Sequence, residues 1–173
     1  MAATIDWPLD IHRALSAEQV RQIAYVPDAG HARLIELCHS DPAMRAVPLT
    51  TEEEGAGLSA GAWLGGQRAA LLMQSSGVGN CINAFAMIKT CGFPHLSLVT
   101  MRGEWGEFNP WQVPMGQTTE EVLRLSGAIV YRLDRPERAG ETVSAAAKLA
   151  FGSSVQVAVL IAQSMIGAKT FKE

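Results

Sequence analysis

The chain has 173 residues, 48% apolar and 18% charged, with 14 basic and 17 acidic side chains for a formal charge of -3. That length and mixture fit one domain with a real core and exclude a disordered chain. No basic tract offers a phosphate footprint for nucleic acid, and the longest uncharged stretches are broken by Gly, Ser, Gln and Asn, so no membrane-spanning helix is expected.

Short apolar runs alternate with helical patterns along the chain. Ile23 to Val26 predicts a short strand ended by Pro27, and His31 to His39 a helix with Leu34, Ile35, Leu37 and Cys38 on one stripe. Arg45 to Leu49 reads as a weak strand leading to Thr50 and Thr51, both suited to cap the helix that follows. Ala69 to Met73 is a continuous apolar strand, and Gln74-Ser75-Ser76-Gly77-Val78-Gly79-Asn80 reads as a loop before a helix from about Cys81 to Thr90. His95 to Thr100 predicts a strand with a core or edge histidine at its start, and Met101 to Gly116 a long irregular segment. Thr119 to Leu125 reads as helix, Ile129 to Leu133 as strand, Glu141 to Phe151 as an alanine-rich helix and Val155 to Ile161 as a last buried strand.

Doubly buried strands alternating with helices predict an α/β fold: a parallel sheet with helices on both faces. Such sheets bind ligands beyond the carboxyl ends of their strands. The segments Pro27 to His31, Gln74 to Asn80 and Met101 to Gly116, with the turn at Thr50 to Glu54, are therefore where chemistry is sought. The start, MAATIDWPLD, has no cationic or apolar run and predicts no secretory signal. Cys38, Cys81 and Cys91, an odd count with no CxxC pair, read as small core residues in a reducing cytoplasm rather than a disulfide framework. His39 beside Cys38 lacks further ligands at zinc spacing.

Gly57, Gly61 and Gly65 recur every four residues and share one helix face. Each costs a helix roughly 1 kcal/mol against alanine, a cost offset by tight packing within the domain or by close approach of a second subunit. Glu52, Glu53 and Glu54 open that helix, where negative charge suits the dipole. At most one or two of them can address the same pocket, because successive helical positions point about 100° apart. Ser76-Gly77-Val78-Gly79-Asn80 permits backbone approach to a flat or anionic ligand. It is neither a GxGxxG fingerprint, since Ile82 stands at the third glycine, nor a P-loop, since no Gly-Lys-Ser/Thr follows.

Together, Glu52…Ala60-Gly61-Ala62-Trp63…Met73-Gln74-Ser75-Ser76-Gly77-Val78-Gly79-Asn80 resembles the pyrimidine-binding domain of thiamine diphosphate enzymes, in particular the phosphonopyruvate and sulfopyruvate decarboxylases. Val26-Pro27-Asp28, Arg102-Gly103-Glu104 and Gln112-Val113-Pro114-Met115-Gly116 strengthen the likeness, which covers about residues 20 to 167. The Gly-Asp-Gly…Asn signature of the second cofactor module does not occur, so the chain resembles the α subunit of the split decarboxylases, a single domain over 1–173.

The resemblance implies a cytoplasmic carboxy-lyase subunit whose thiamine diphosphate is shared with a β subunit that carries the diphosphate-binding module and holds magnesium. A hetero-oligomer with at least two chains of each kind, or a homodimer of this one, is implied. Counting nine residues back from Gly61 makes Glu52 the acid that hydrogen-bonds the aminopyrimidine ring; Glu53 and Glu54 serve the dipole or solvent. Gly77 and Gly79 let backbone approach the pyrimidine, and Asn80 belongs to the same cofactor-binding set while capping the next helix. His31, near Asp28, is the candidate to return a proton once carbon dioxide has left. Arg102, Asp28 and Gln112 are the candidates to bind a small anionic 2-oxo acid, sulfopyruvate or phosphonopyruvate. Trp105 and Trp111 suggest a lid or a partner contact. Another thiamine diphosphate-dependent lyase or carboligase subunit, or a non-catalytic partner-binding subunit, is the alternative.

Overall fold

Strands buried on both faces make the centre of the sheet. His95–Thr100 (β4) and Gln156–Ile161 (β6) are buried at every position, and Arg68–Gln74 (β3) at all but its ends. In the computed structural model, which describes residues 5–168, these pair with Val20–Tyr25 (β1), Arg45–Pro48 (β2) and Ile129–Leu133 (β5). All pairs are parallel, in the order β2-β1-β3-β4-β6-β5. Leu98 of β4 registers between Leu72 of β3 and Val159 of β6.

Helices cover both faces. Trp7–Ala17 (α1), Ala32–Ser40 (α2) and Ala139–Ser153 (α6) pack on one, through Ile11, Leu15, Leu34, Cys38, Val143 and Ala147. Glu53–Leu64 (α3), Ser75–Cys91 (α4) and Gln112–Leu125 (α5) pack on the other, through Leu58, Val78, Cys81, Phe85 and Leu123. Each fully buried Leu or Phe contributes about 1.5–3 kcal/mol. A short α7, Gln163–Ile166, follows β6.

The parallel sheet and its strands follow the sequence pattern, with three local differences. A helix, α1, precedes the first strand; the Asp6 side chain accepts the Leu9 N–H at 3.3 Å and a proline stands in the first turn, both start signals present in the sequence. Although outside the 20–167 interval, α1 supplies Ile11, Ala14 and Leu15 to the core. Second, α4 starts at Ser75 directly after β3, so Gln74 to Asn80 is no loop. Third, α5 starts at Gln112; Pro114 lies in its first turn, where a missing N–H costs no helical bond.

Neither threonine caps α3. Its N-cap is Glu52, and the Glu54 carboxylate reaches back to accept the Thr50 N–H at 2.9 Å. Cys38 and Cys81 are buried, and desolvation pushes both thiols up to about 12. Cys91 is exposed, contrary to the expectation of a core residue. Among the described residues no helix is long and apolar enough to cross a membrane.

The candidate acidic site and its surroundings

Strand order places the crevice. From β1 the chain crosses to one face through α2, and from β3 to the other through α4, so the carboxyl ends of β1 and β3 open between diverging helices. Asp28, just after β1, bridges three strand ends. Its Oδ2 accepts the Thr100 hydroxyl at 2.6 Å and the Gly30 N–H at 3.1 Å, and its Oδ1 accepts the Gln74 amide at 3.1 Å. Thr100 ends β4 and Gln74 ends β3, so one carboxylate ties the rim of the crevice together.

Glu52 is the buried member of the glutamate run, 9% exposed, while Glu53 and Glu54 face solvent. Its carboxylate lies on the first turns of α4. A Cβ added to Gly77 would meet the Glu52 Cγ, Cδ and Oε1, each at 2.5 Å. Its Oε2 accepts the Asn80 Nδ2–H at 2.8 Å. The expectation that Glu52 differs from its neighbours therefore holds in burial and contacts, and Glu54 acts at the helix start. Asn80 lies inside α4 and caps nothing, because that helix begins five residues earlier. Gly77 accommodates the acid; Gly79 is exposed, with only the Met115 sulfur near a would-be Cβ, at 3.5 Å.

Arg102 is not a free cation. Its Nε and Nη2 grip Glu107 at 2.6 and 2.5 Å, and its guanidinium also lies over the Phe108 ring. Glu107 further accepts the Gly103 and Asn109 N–H groups and the Gln163 amide. The Arg102 hydrogen bonds hold the Glu107 carboxyl down at about 2, against the opposing effect of burial. The candidate anion-binding side chain is thus already paired in this structure, its charge engaged within the loop. Neither Glu107 nor Gln163 was singled out in the sequence, since nothing in their spacing marks partners that only the folded loop brings together. Beside them, Glu104 pairs with Arg132 and accepts the Gln163 N–H.

His31 is fully buried, its Nε2 at 3.0 Å from the Leu98 carbonyl oxygen and its Nδ1 without a partner. Burial lowers its pKa, with Asp28 opposing, so the ring is held neutral and shielded from the crevice. A proton-return role needs contact with substrate, and in this structure the ring exposes no surface. The Gln112 side-chain oxygen is buried without a partner, and its main-chain carbonyl packs on Gly103. His95 is a core histidine, paired to the Ser97 hydroxyl at 2.8 Å and lowered to about 4 by burial.

On the glycine stripe, Cβ atoms added to Gly57 and Gly61 would meet nothing within 4 Å. Packing within the domain therefore does not explain these two glycines. The tight glycine of α3 is Gly55, against Leu71.

No family model matches the chain. It is 37% identical over 153 residues to the sulfopyruvate decarboxylase subunit alpha of Methanocaldococcus jannaschii, covering 88% of this chain and 90% of that one. It is 36% identical over 118 residues to the phosphonopyruvate decarboxylase of Streptomyces viridochromogenes, covering 67% of this chain and 30% of that one. In fold it is similar to the 2-oxoglutarate:ferredoxin oxidoreductase of Magnetococcus marinus, with a TM-score of 0.74 at 13% identity, covering 92% of this chain and 29% of that one.

Proposed function

The chain belongs to the family of sulfopyruvate decarboxylase α subunits, and from that membership we propose that it is the pyrimidine-binding subunit of a thiamine diphosphate-dependent 2-oxo acid decarboxylase acting on sulfopyruvate or phosphonopyruvate. The single observation that carries the reading is the Glu52 carboxylate, buried on a glycine of α4 with one oxygen tied to Asn80. This donor set fits a ring nitrogen: an acid at the edge of a crevice, next to a helix turn kept bare of side chain.

Thiamine diphosphate supplies, when bound, the nucleophile for the ketone and the electron sink for the departing carboxylate. Glu52 would hydrogen-bond the pyrimidine ring and hold or release a proton at its free oxygen. Gly77 keeps that position open by lacking a Cβ. Asp28, Thr100 and Gln74 form the polar rim on which the substrate would lie, their mutual hydrogen bonds fixing them in place. Arg102 and Glu107 act here as the tie of the 101–111 segment, and His31 as a buried brace on the Leu98 carbonyl of β4.

With no Gly-Asp-Gly in the sequence, diphosphate and magnesium are assigned to a partner β chain. The bare α3 surface at Gly57 and Gly61 is where close approach by another subunit costs least. Co-expression with a family β chain, followed by carbon dioxide release from sulfopyruvate, phosphonopyruvate and pyruvate, tests the proposal. The expected result is turnover of a sulfonated or phosphonated acid in preference to pyruvate. An assembled, cofactor-loaded complex that decarboxylates none of the three would overturn it.

A further inference from the structure

Resting on the reading that Glu52 addresses the cofactor, we propose that Asn80 is its positioning residue: it clamps one carboxylate oxygen so that the other is presented to the pyrimidine. Gly77 and Asn80 stand three apart in α4 and so share one face. The Glu52 carboxylate lies along that stripe, with Oε1 against the bare glycine and Oε2 at the amide.

A glutamate's terminal torsion is broad, so a carboxylate with no partner would turn freely. Among the described residues the Asn80 amide is the one group hydrogen-bonded to the Glu52 carboxylate. An ionised carboxylate only accepts, which fixes the amide NH2 as the end that faces it and makes the bond charge-assisted. Asn80 has no competing duty: it is exposed, it lies past the first turn of α4, and it caps no helix. The same geometry admits an opposite role, in which the amide merely fills the place of the ligand's own donor and must be displaced. The two roles differ in sign.

Three measurements decide. In the full chain without cofactor, one Asn80 side-chain amide proton is expected to be shifted and slowed in exchange by NMR, and to lose both features in Glu52→Ala. In the complex with the β chain, Asn80→Ala is expected to slow cofactor C2 proton exchange roughly 10- to 100-fold with cofactor affinity changed less than about twofold. Asn80→Gln, which keeps an amide donor on a longer arm at an exposed position, is expected to recover part of that rate. Tighter cofactor binding by Asn80→Ala with an unchanged exchange rate would establish displacement and overturn the clamp, as would a defect lying wholly in affinity. If Asn80→Ala fails to assemble, the amide signature decides alone, and its absence in the native chain overturns the proposal. Glu52→Gln separates the two levels. If it too exchanges normally, the Glu52 reading itself has failed; if only Asn80→Ala does, the clamp has.

Discussion

Glu52 and Gly77 meet so closely that a Cβ on the glycine would sit 2.5 Å from the glutamate's carboxyl carbon. The three nearest atoms it would strike belong to one flexible side chain, so the clash is relieved by moving the acid rather than the helix. Gly77→Ala therefore separates folding from chemistry. A melting temperature within a few degrees of the native chain is expected, with decarboxylation by the α/β complex lowered roughly 100-fold through displacement of the acid. Native activity in a folded Gly77→Ala complex would mean that the carboxylate works from another position.

Replacing the acid isosterically asks the simpler question. Glu52→Gln retains size and the ability to accept from Asn80, but cannot exchange a proton with a ring nitrogen. Cofactor C2 proton exchange in the complex should fall by orders of magnitude while assembly is kept. Glu53→Gln, on an exposed neighbour, should exchange at the native rate. Equal rates in all three proteins would remove Glu52 from the mechanism.

The strands were legible as short runs rich in apolar and β-branched residues between turn signals. His95–Thr100 and Ile129–Leu133 fall at the predicted bounds. The start of α4 was not, because Gly77 and Gly79 carry loop propensity and the reason for a glycine there lies on α3, in the Glu52 side chain. Glu52 was singled out by spacing and family likeness, and it is the buried member of the glutamate run. The pairing of Arg102 was not legible either. A lone arginine in a long segment resembles an anion site until Glu107, five residues on, is folded back against it. Nor did the sequence reveal that Arg102-Gly103 and Gln112 to Gly116 pack together: glycines in both let the two backbones touch.

That backbone contact gives a stability prediction. A Cβ on Gly116 would overlap the Arg102 carbonyl, and one on Gly103, which also has φ +74°, would lie 2.5 Å from the Gln112 carbonyl oxygen. Here the obstacles are main chain and cannot swing aside. Gly116→Ala should cost at least about 1–3 kcal/mol by overpacking, read as a lower urea midpoint with loss of native Trp105 and Trp111 fluorescence. An unchanged midpoint would show that α5 slides freely over this segment.

The Arg102–Glu107 pair makes stability fall in acid, and the sign follows from the direction of the shift. Arg102, helped by the Gly103 and Asn109 N–H groups and Gln163, lowers the Glu107 carboxyl from the ordinary 4.5 to about 2. A carboxyl depressed in the folded chain contributes fully above its unfolded pKa and loses that contribution as pH falls through the folded one. Its side chain is 4% exposed, so solvent screens it little. The shift corresponds to about 3 kcal/mol, lost progressively between about pH 4.5 and pH 2. Urea titrations from pH 7 to pH 2.5 should show this decline in the native chain and a smaller one in Glu107→Gln. That variant starts lower at pH 7 by about 3–5 kcal/mol, because it leaves Arg102 without its counter-charge. Identical acid slopes in the two proteins would assign the decline to other groups. Arg102→Ala should likewise lose stability together with activity. A raised Michaelis constant for the anionic acid with native stability would instead return this guanidinium to the substrate.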